Sequence, residues 1–182
     1  PKPCLLLAEM TMHPQPFRPP RGFTIVELMV TVAVLAILLA VAIPGFRTMT
    51  IRSRTASYAN DFVATLLYAR TEAIRRGLSV TVCKSSDGTG CTPAAQWEQG
   101  WIVFVDVNAN GKLDPPNDTL LRVWGPLVPG YTLRTGNSDF ADFLRYRPDG
   151  TLAAPNTPQA LFAICSGTDT TTARVVEVTL TL

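Results

Sequence analysis

Three groups of side chains in this 182-residue sequence have types and spacings that could do chemistry. Asp106, Asn108, Asn110 and Asp114 place oxygen atoms along one short loop, with Gly111 at its sixth position. Alternating oxygens around such a glycine can wrap Ca²⁺. The loop departs from a full calcium loop at position twelve, where Asn117 stands in place of a bidentate glutamate; Asp118 could substitute. The plain alternative is a polar hairpin loop whose Asn and Gly supply turns. Cys83 and Cys91 flank a flexible Ser/Gly-rich loop. In an oxidising compartment they can close it as a disulfide; otherwise they are two free thiols. Cys165 is left over in an apolar strand, where a buried small hydrophobe is expected. Finally, Arg134, Arg145, Arg147 and Arg174 fall on neighbouring predicted strands, with Tyr131 and Tyr146 nearby. Such a patch could hold phosphates along DNA without reading sequence. The alternative is solvated surface arginines.

What the sequence lacks is equally informative. Its single histidine, His13, lies near the N-terminus, so the rest of the chain is without the commonest acid-base and metal-binding side chain. No Cys-x-x-Cys motif is present, which argues against zinc. No nucleophile-base constellation is evident, and the expected function is non-enzymatic, with no obligatory cofactor. A membrane-tethered enzyme is the reading this disfavours. Removing residues 1–22 takes away Lys2, Arg18, Arg21 and Glu9, three of the 16 basic and one of the 14 acidic side chains. The remainder is balanced, so no global basic field points to nucleic acid.

The elements that must position these groups begin with an apolar run. From Phe23 to Phe46 the only charged side chain is Glu27. About 20 apolar residues at 1.5 Å rise span a ~30 Å hydrocarbon core, so this run reads as a membrane-crossing helix. Pro44 and Gly45 mark its end as a kink, and a continuing helix is the favoured reading. From Arg47 to Arg76, Tyr58, Phe62, Leu66, Ala69 and Ala73 recur on one helix face. Arg52, Arg54, Arg70 and Glu72 are then expected to face outward. Arg75 and Arg76 suit the last turn, and Gly77 is a stop. Strands are expected over residues 78–84, 101–107, 119–124, 131–134, 143–147, 161–165 and 174–181, with a turn at Pro148-Asp149-Gly150. The fold class is α+β, an antiparallel sheet domain packed on a long N-terminal helix.

A carboxylate at the start of a membrane helix is expensive, so Glu27 requires a role and a partner. An ordinary single-pass anchor and a secretory signal peptide cleaved at Ala40-Val41-Ala42 are the plain readings of the run. Neither accounts for Glu27 within Arg21-Gly22-Phe23-Thr24-Ile25-Val26-Glu27. That stretch resembles the type IV prepilin signature. The resemblance implies that a prepilin peptidase cuts after Gly22 and that Phe23 becomes an N-methylated terminus. It also implies that Glu27 neutralises the α-amino group of a neighbouring subunit's Phe23 during filament assembly. Pairing makes two costly charges tolerable and sets axial register.

Further blocks, Asn60-Asp61-Phe62, Ala69-Arg70-Thr71-Glu72-Ala73, Val80-Thr81-Val82-Cys83 and Gly100-Trp101-Ile102-Val103-Phe104-Val105-Asp106, resemble the FimT/GspH branch of pilin-like proteins. The likeness runs from Arg21 to about Val178. It implies a pilin-like fold with a leader at residues 1–22 and a transmembrane half-helix at 23–46. An amphipathic half-helix at 47–77 and a periplasmic β-rich domain at 78–182 complete it. The sequence begins at Pro1, with Met10 or Met12 as candidate starts. The basic leader side stays cytoplasmic, placing a single-pass protein in the inner membrane.

The implied function is a minor pilin of a type IV pilus, with a use in DNA uptake during natural transformation. The alternative is a GspH-like minor pseudopilin of type II protein secretion. Partners implied are the prepilin peptidase, other pilin or pseudopilin subunits, the inner-membrane assembly platform, membrane lipid before assembly, and DNA. Some FimT-like pilins bind DNA through a C-terminal Gly-Arg-x-Arg motif; here Arg174 in Thr172-Ala173-Arg174-Val175 is a partial stand-in.

Overall fold

The structure, a computed structural model, describes residues 22–153, 159–167 and 169–179. It divides into two units, Pro1–Ile43 and Pro44–Leu182, three residues ahead of the boundary expected from composition. Helix α1 (Ile25–Arg76) contributes to both and runs through Pro44 without a break. In the first unit its side chains are exposed, apart from a half-buried Ala42. This stretch is long and apolar enough to cross a membrane. Thr24 caps the helix: its Oγ1 accepts from the Glu27 backbone N–H at 3.2 Å.

In the second unit, α1 packs against two antiparallel sheets. One has the order β3 (Thr119–Trp124), β2 (Trp101–Val105), β1 (Val80–Lys84), β5 (Phe143–Tyr146). The other has the order β4 (Tyr131–Thr135), β6 (Gln159–Ser166), β7 (Asp169–Thr179). Two sheets, rather than one, change which strands are neighbours. β4 and β5 are adjacent in sequence yet belong to different sheets.

The helix face facing the sheets is Thr55, Ala59, Phe62, Thr65, Leu66, Ala69 and Ala73, the expected stripe with Tyr58 only half-buried. Phe62 is the centre of the core. Its ring meets Trp97 at 5.8 Å and Trp101 at 5.4 Å edge-on, and Phe162 at 4.8 Å. It therefore joins the helix to both sheets, through β2 and β6. The Trp101 indole N–H donates to Thr65 Oγ1 at 3.1 Å, satisfying a buried donor.

Glu72 does not face outward as expected. It is buried, and accepts from Arg75 Nη2 at 2.7 Å and Arg76 Nε at 2.6 Å. The two arginines of the last turn fold back to neutralise it, and their hydrogen bonds hold its carboxyl below the usual carboxylate range.

β1 and β2 are buried on both faces, which is why β2 reads as a continuous apolar run. The outer face of the four-stranded sheet carries its own small core. Cys83, Ile102 and Phe104 are covered there by Cys91, Leu113 and Phe143. β7 starts five residues before its expected start, and β6 extends two residues earlier and one later. Both are anchored by the ladder they share, from Gln159 opposite Thr179 to Ser166 opposite Asp169.

Tyr146, on β5, is 4 % exposed, and burial pushes its phenol up to about 12. The folded state thus disfavours tyrosinate. The stabilisation is complete below pH 10 and is lost as pH rises toward 12. We expect the denaturant midpoint to fall across that window, and to fall less steeply in Tyr146→Phe, which has no proton to lose.

Candidate functional site

The N-terminal signature lies on an exposed, capped helix start. Gly22, Phe23 and Thr24 precede α1 in no regular structure and are exposed. Glu27 sits in the first helical turn, where a carboxylate opposes the positive end of the helix dipole. It makes no ion pair among the described residues. Thr24-x-x-Glu27 is itself a helix-start pattern, the local signal in the sequence for this cap.

Cys83 and Cys91 form a disulfide. It tethers the loop after β1 over the outer mini-core, where Gly88 lies against Val123 of β3. Lys84, 8 % exposed at its side chain, anchors the same loop. Its Nζ donates to Pro93 O at 2.8 Å and pairs with Asp142 Oδ1 at 2.8 Å. Closing so short a loop is worth about 2 to 3 kcal/mol. Replacing both cysteines by serine should therefore lower the denaturant midpoint without changing secondary structure by circular dichroism; an unchanged midpoint would show that packing alone holds the loop. Cys165 is half-buried, not buried. On β6 the buried positions are Ala160, Phe162 and Ile164, and alternation turns Cys165 to the other face.

The polar loop after β2 is gathered around Asp106, which is fully buried. Its Oδ2 accepts from Thr81 Oγ1 at 2.7 Å and from the Gly111 N–H at 2.9 Å; Oδ1 accepts from the Asn110 N–H at 3.0 Å. Asp118 accepts from the Val107 and Asp114 N–H groups. Asp114 accepts from the side-chain amides of Asn110 at 2.6 Å and Asn108 at 3.4 Å, and these bonds hold its carboxyl below the usual range.

Asn108 and Asn110 spend their own oxygens on the N–H groups of Asn110 and Lys112. The sequence spacing brought the right residues together. However, their oxygens face the loop's own donors, which fits a hydrogen-bonded turn better than an ion cage. Gly111 is required: at φ +78° a Cβ would lie 2.7 Å from the Phe143 ring.

The four arginines do not form one patch. Arg134 and Arg174 lie on β4 and β7 with β6 between them. The registers put Arg134 level with Ala163 and Arg174 level with Ile164, on opposite faces. Arg145 belongs to the other sheet and donates to Ala109 O. Arg147 bends into its own turn, toward Thr151 Oγ1 and Leu152 O at 3.4 Å each. Arg134 is paired with Glu98, a partner that no spacing along the chain signals.

With this geometry in view, comparison with known proteins is decisive. The model for "Type II transport protein GspH" matches residues 58–181, about two thirds of the chain. The chain belongs to the GspH family. The model for the prokaryotic N-terminal methylation motif matches residues 18–43, spanning Gly22, Phe23 and Glu27. Pilin-like protein PilA1 of Thermus thermophilus is 33 % identical over 95 residues, covering 52 % of this chain and 54 % of that protein. The match thus spans about half the length of that relative.

The fold resembles the type IV minor pilin FimU of Pseudomonas aeruginosa in two crystal forms. The TM-scores are 0.55 and 0.52 at 25 % identity, covering 72 % and 69 % of this chain and 87 % and 86 % of FimU. The GspH-family chain is therefore a type IV pilin-like protein, a minor pilin or pseudopilin.

Proposed function

We propose that the chain is a minor pilin of a type IV pilus, cut after Gly22 and N-methylated at Phe23. It is held in the inner membrane by the first half of α1, with the β domain in the periplasm, until assembly draws it into the filament. The supporting observation is the methylation-motif match at residues 18–43, coincident with an exposed apolar helix and a lone Glu27 in its first turn. An exposed apolar helix needs lipid or other helices around it, and a filament core supplies the second once the chain leaves the first.

A use in DNA uptake belongs to this proposal, with exposed Arg174 and Arg147 as the contacts, each acting singly. The pseudopilin reading is favoured by the family model, described for a type II transport protein. Deleting the gene and scoring transformation by added DNA and secretion of exoproteins in parallel separates the two. Loss of transformation or pilus extension with intact secretion is the expected result. Loss of secretion alone overturns the pilus assignment in favour of the pseudopilus.

A further inference from the structure

The two sheets have four edge strands, and two of them, β4 and β5, are occupied. Glu98 caps the β4 edge, taking the Leu133 N–H at 3.5 Å and the Arg134 guanidinium. The β5 edge is closed by its own turn. The Arg147 N–H donates to Thr151 O and the Ala153 N–H to Arg145 O, both at 2.8 Å. β7 pairs with β6 alone among the described strands and borders a groove lined by Val63, Leu66 and Leu67 of α1. β3 is the open edge that also presents an unpaired charge. Among the described residues its backbone hydrogen bonds go to β2 alone. It contains no proline or lysine, the usual guards of a free edge. On its outer face Leu120 and Val123 are 40 % and 47 % exposed.

Its single charge, Arg122, is exposed but fixed. The guanidinium lies 5.3 Å from the ring centre of Tyr68 on α1 and 5.2 Å from that of Trp124. Trp124 in turn stacks on Trp101 at 6.3 Å. No carboxylate pairs with Arg122 among the described residues. A guanidinium held by aromatic rings, with its donors unspent, is pre-organised for a carboxylate.

We propose that β3 is a docking edge for an extended segment of a partner protein that carries a glutamate or aspartate. The segment adds as a fifth strand, its backbone pairing with β3 and its carboxylate meeting Arg122. Side chains on its other face cover Leu120 and Val123, so the preferred sequence alternates acidic and apolar residues. A nucleic acid fits less well. It leaves the free backbone groups of β3 unmet, and the rings it would stack on are already taken by Arg122 and Trp101. This surface lies wholly in the second unit, and the proposal does not depend on which filament the chain joins.

The test uses the full chain in detergent and a blocked peptide, acetyl-Thr-Val-Glu-Val-Thr-amide, with a Lys-for-Glu peptide as its control. The Glu peptide should slow amide exchange in β3, and the Lys peptide should bind about tenfold more weakly. Arg122→Glu should invert that order. Arg122 is exposed, so unchanged exchange in β1 and β2 verifies that the variant is folded. Equal binding of the two peptides, or no slowing by either, overturns the proposal. So does slowing by oligothymidylate alone, which would make β3 a nucleic-acid surface. Concentration-dependent slowing with no peptide present overturns it in favour of a second copy of this chain.

Discussion

Phe62→Ala should remove a large share of the β domain's stability. The ring is fully buried and touches Trp97, Trp101 and Phe162. Truncating a buried Phe costs about 3–5 kcal/mol, through lost transfer energy and the cavity left behind. Domains of this size are stable by only about 5–15 kcal/mol. The loss is large here because one side chain bridges the helix and both sheets, and collapse from one side cannot fill the hole. Phe62→Leu keeps most of the volume and should cost less than half as much. Urea melts of the two variants beside the parent chain measure this directly. Near-equal midpoints for Phe62→Ala and the parent would mean that the sheets pack on α1 without this ring.

Glu27→Ala should still be cut after Gly22, yet incorporate into filaments at a level at least about tenfold below the parent chain. Cleavage survives because the substitution leaves Gly22 and Phe23 untouched. Assembly fails because an α-amino group in an apolar helix core is left without its counter-charge, a penalty of several kcal/mol. Glu27→Gln keeps the shape and removes the charge, so the same failure in both variants assigns the effect to charge. Immunoblots of sheared filaments against membrane fractions give the ratio. Normal incorporation of Glu27→Ala would end the charge-pairing mechanism.

Much of this molecule is legible in its sequence, and what is not has a physical reason. The apolar run to Phe46, the helical stripe through Phe62 and Ala73, and the strands at β1, β2 and β3 follow from periodicity. The disulfide partners follow from a short loop between two cysteines. Glu72 misled because a carboxylate three and four residues before two arginines can fold inward once paired, and periodicity weighs only apolarity. Cys165 misled because an apolar strand with one covered face still turns every second residue outward.

The arginines misled for a different reason. Strand order decides which side chains meet, and nothing in a linear sequence announces that β4 and β5 part into separate sheets. For the same reason the Glu98–Arg134 pair and the Arg122 stack were invisible: their members are far apart along the chain. The loop at Asp106 lies between these cases. Its residues were found by spacing, but whether their oxygens turn toward an ion or toward the loop's own N–H groups depends on backbone path.

The cap at Thr24 bears on proteolysis. A peptidase must hold its target as an extended strand, so cutting inside a helix first requires melting at least one turn. If the cut falls after Gly22 as proposed, helix α1 begins beyond it, and Thr24 supplies an oxygen that caps its first turn. The bond after Gly22 can be read with no unwinding of α1. After the cut, Thr24 remains as the second residue of the product, so the new chain end keeps the helix start it had as a precursor.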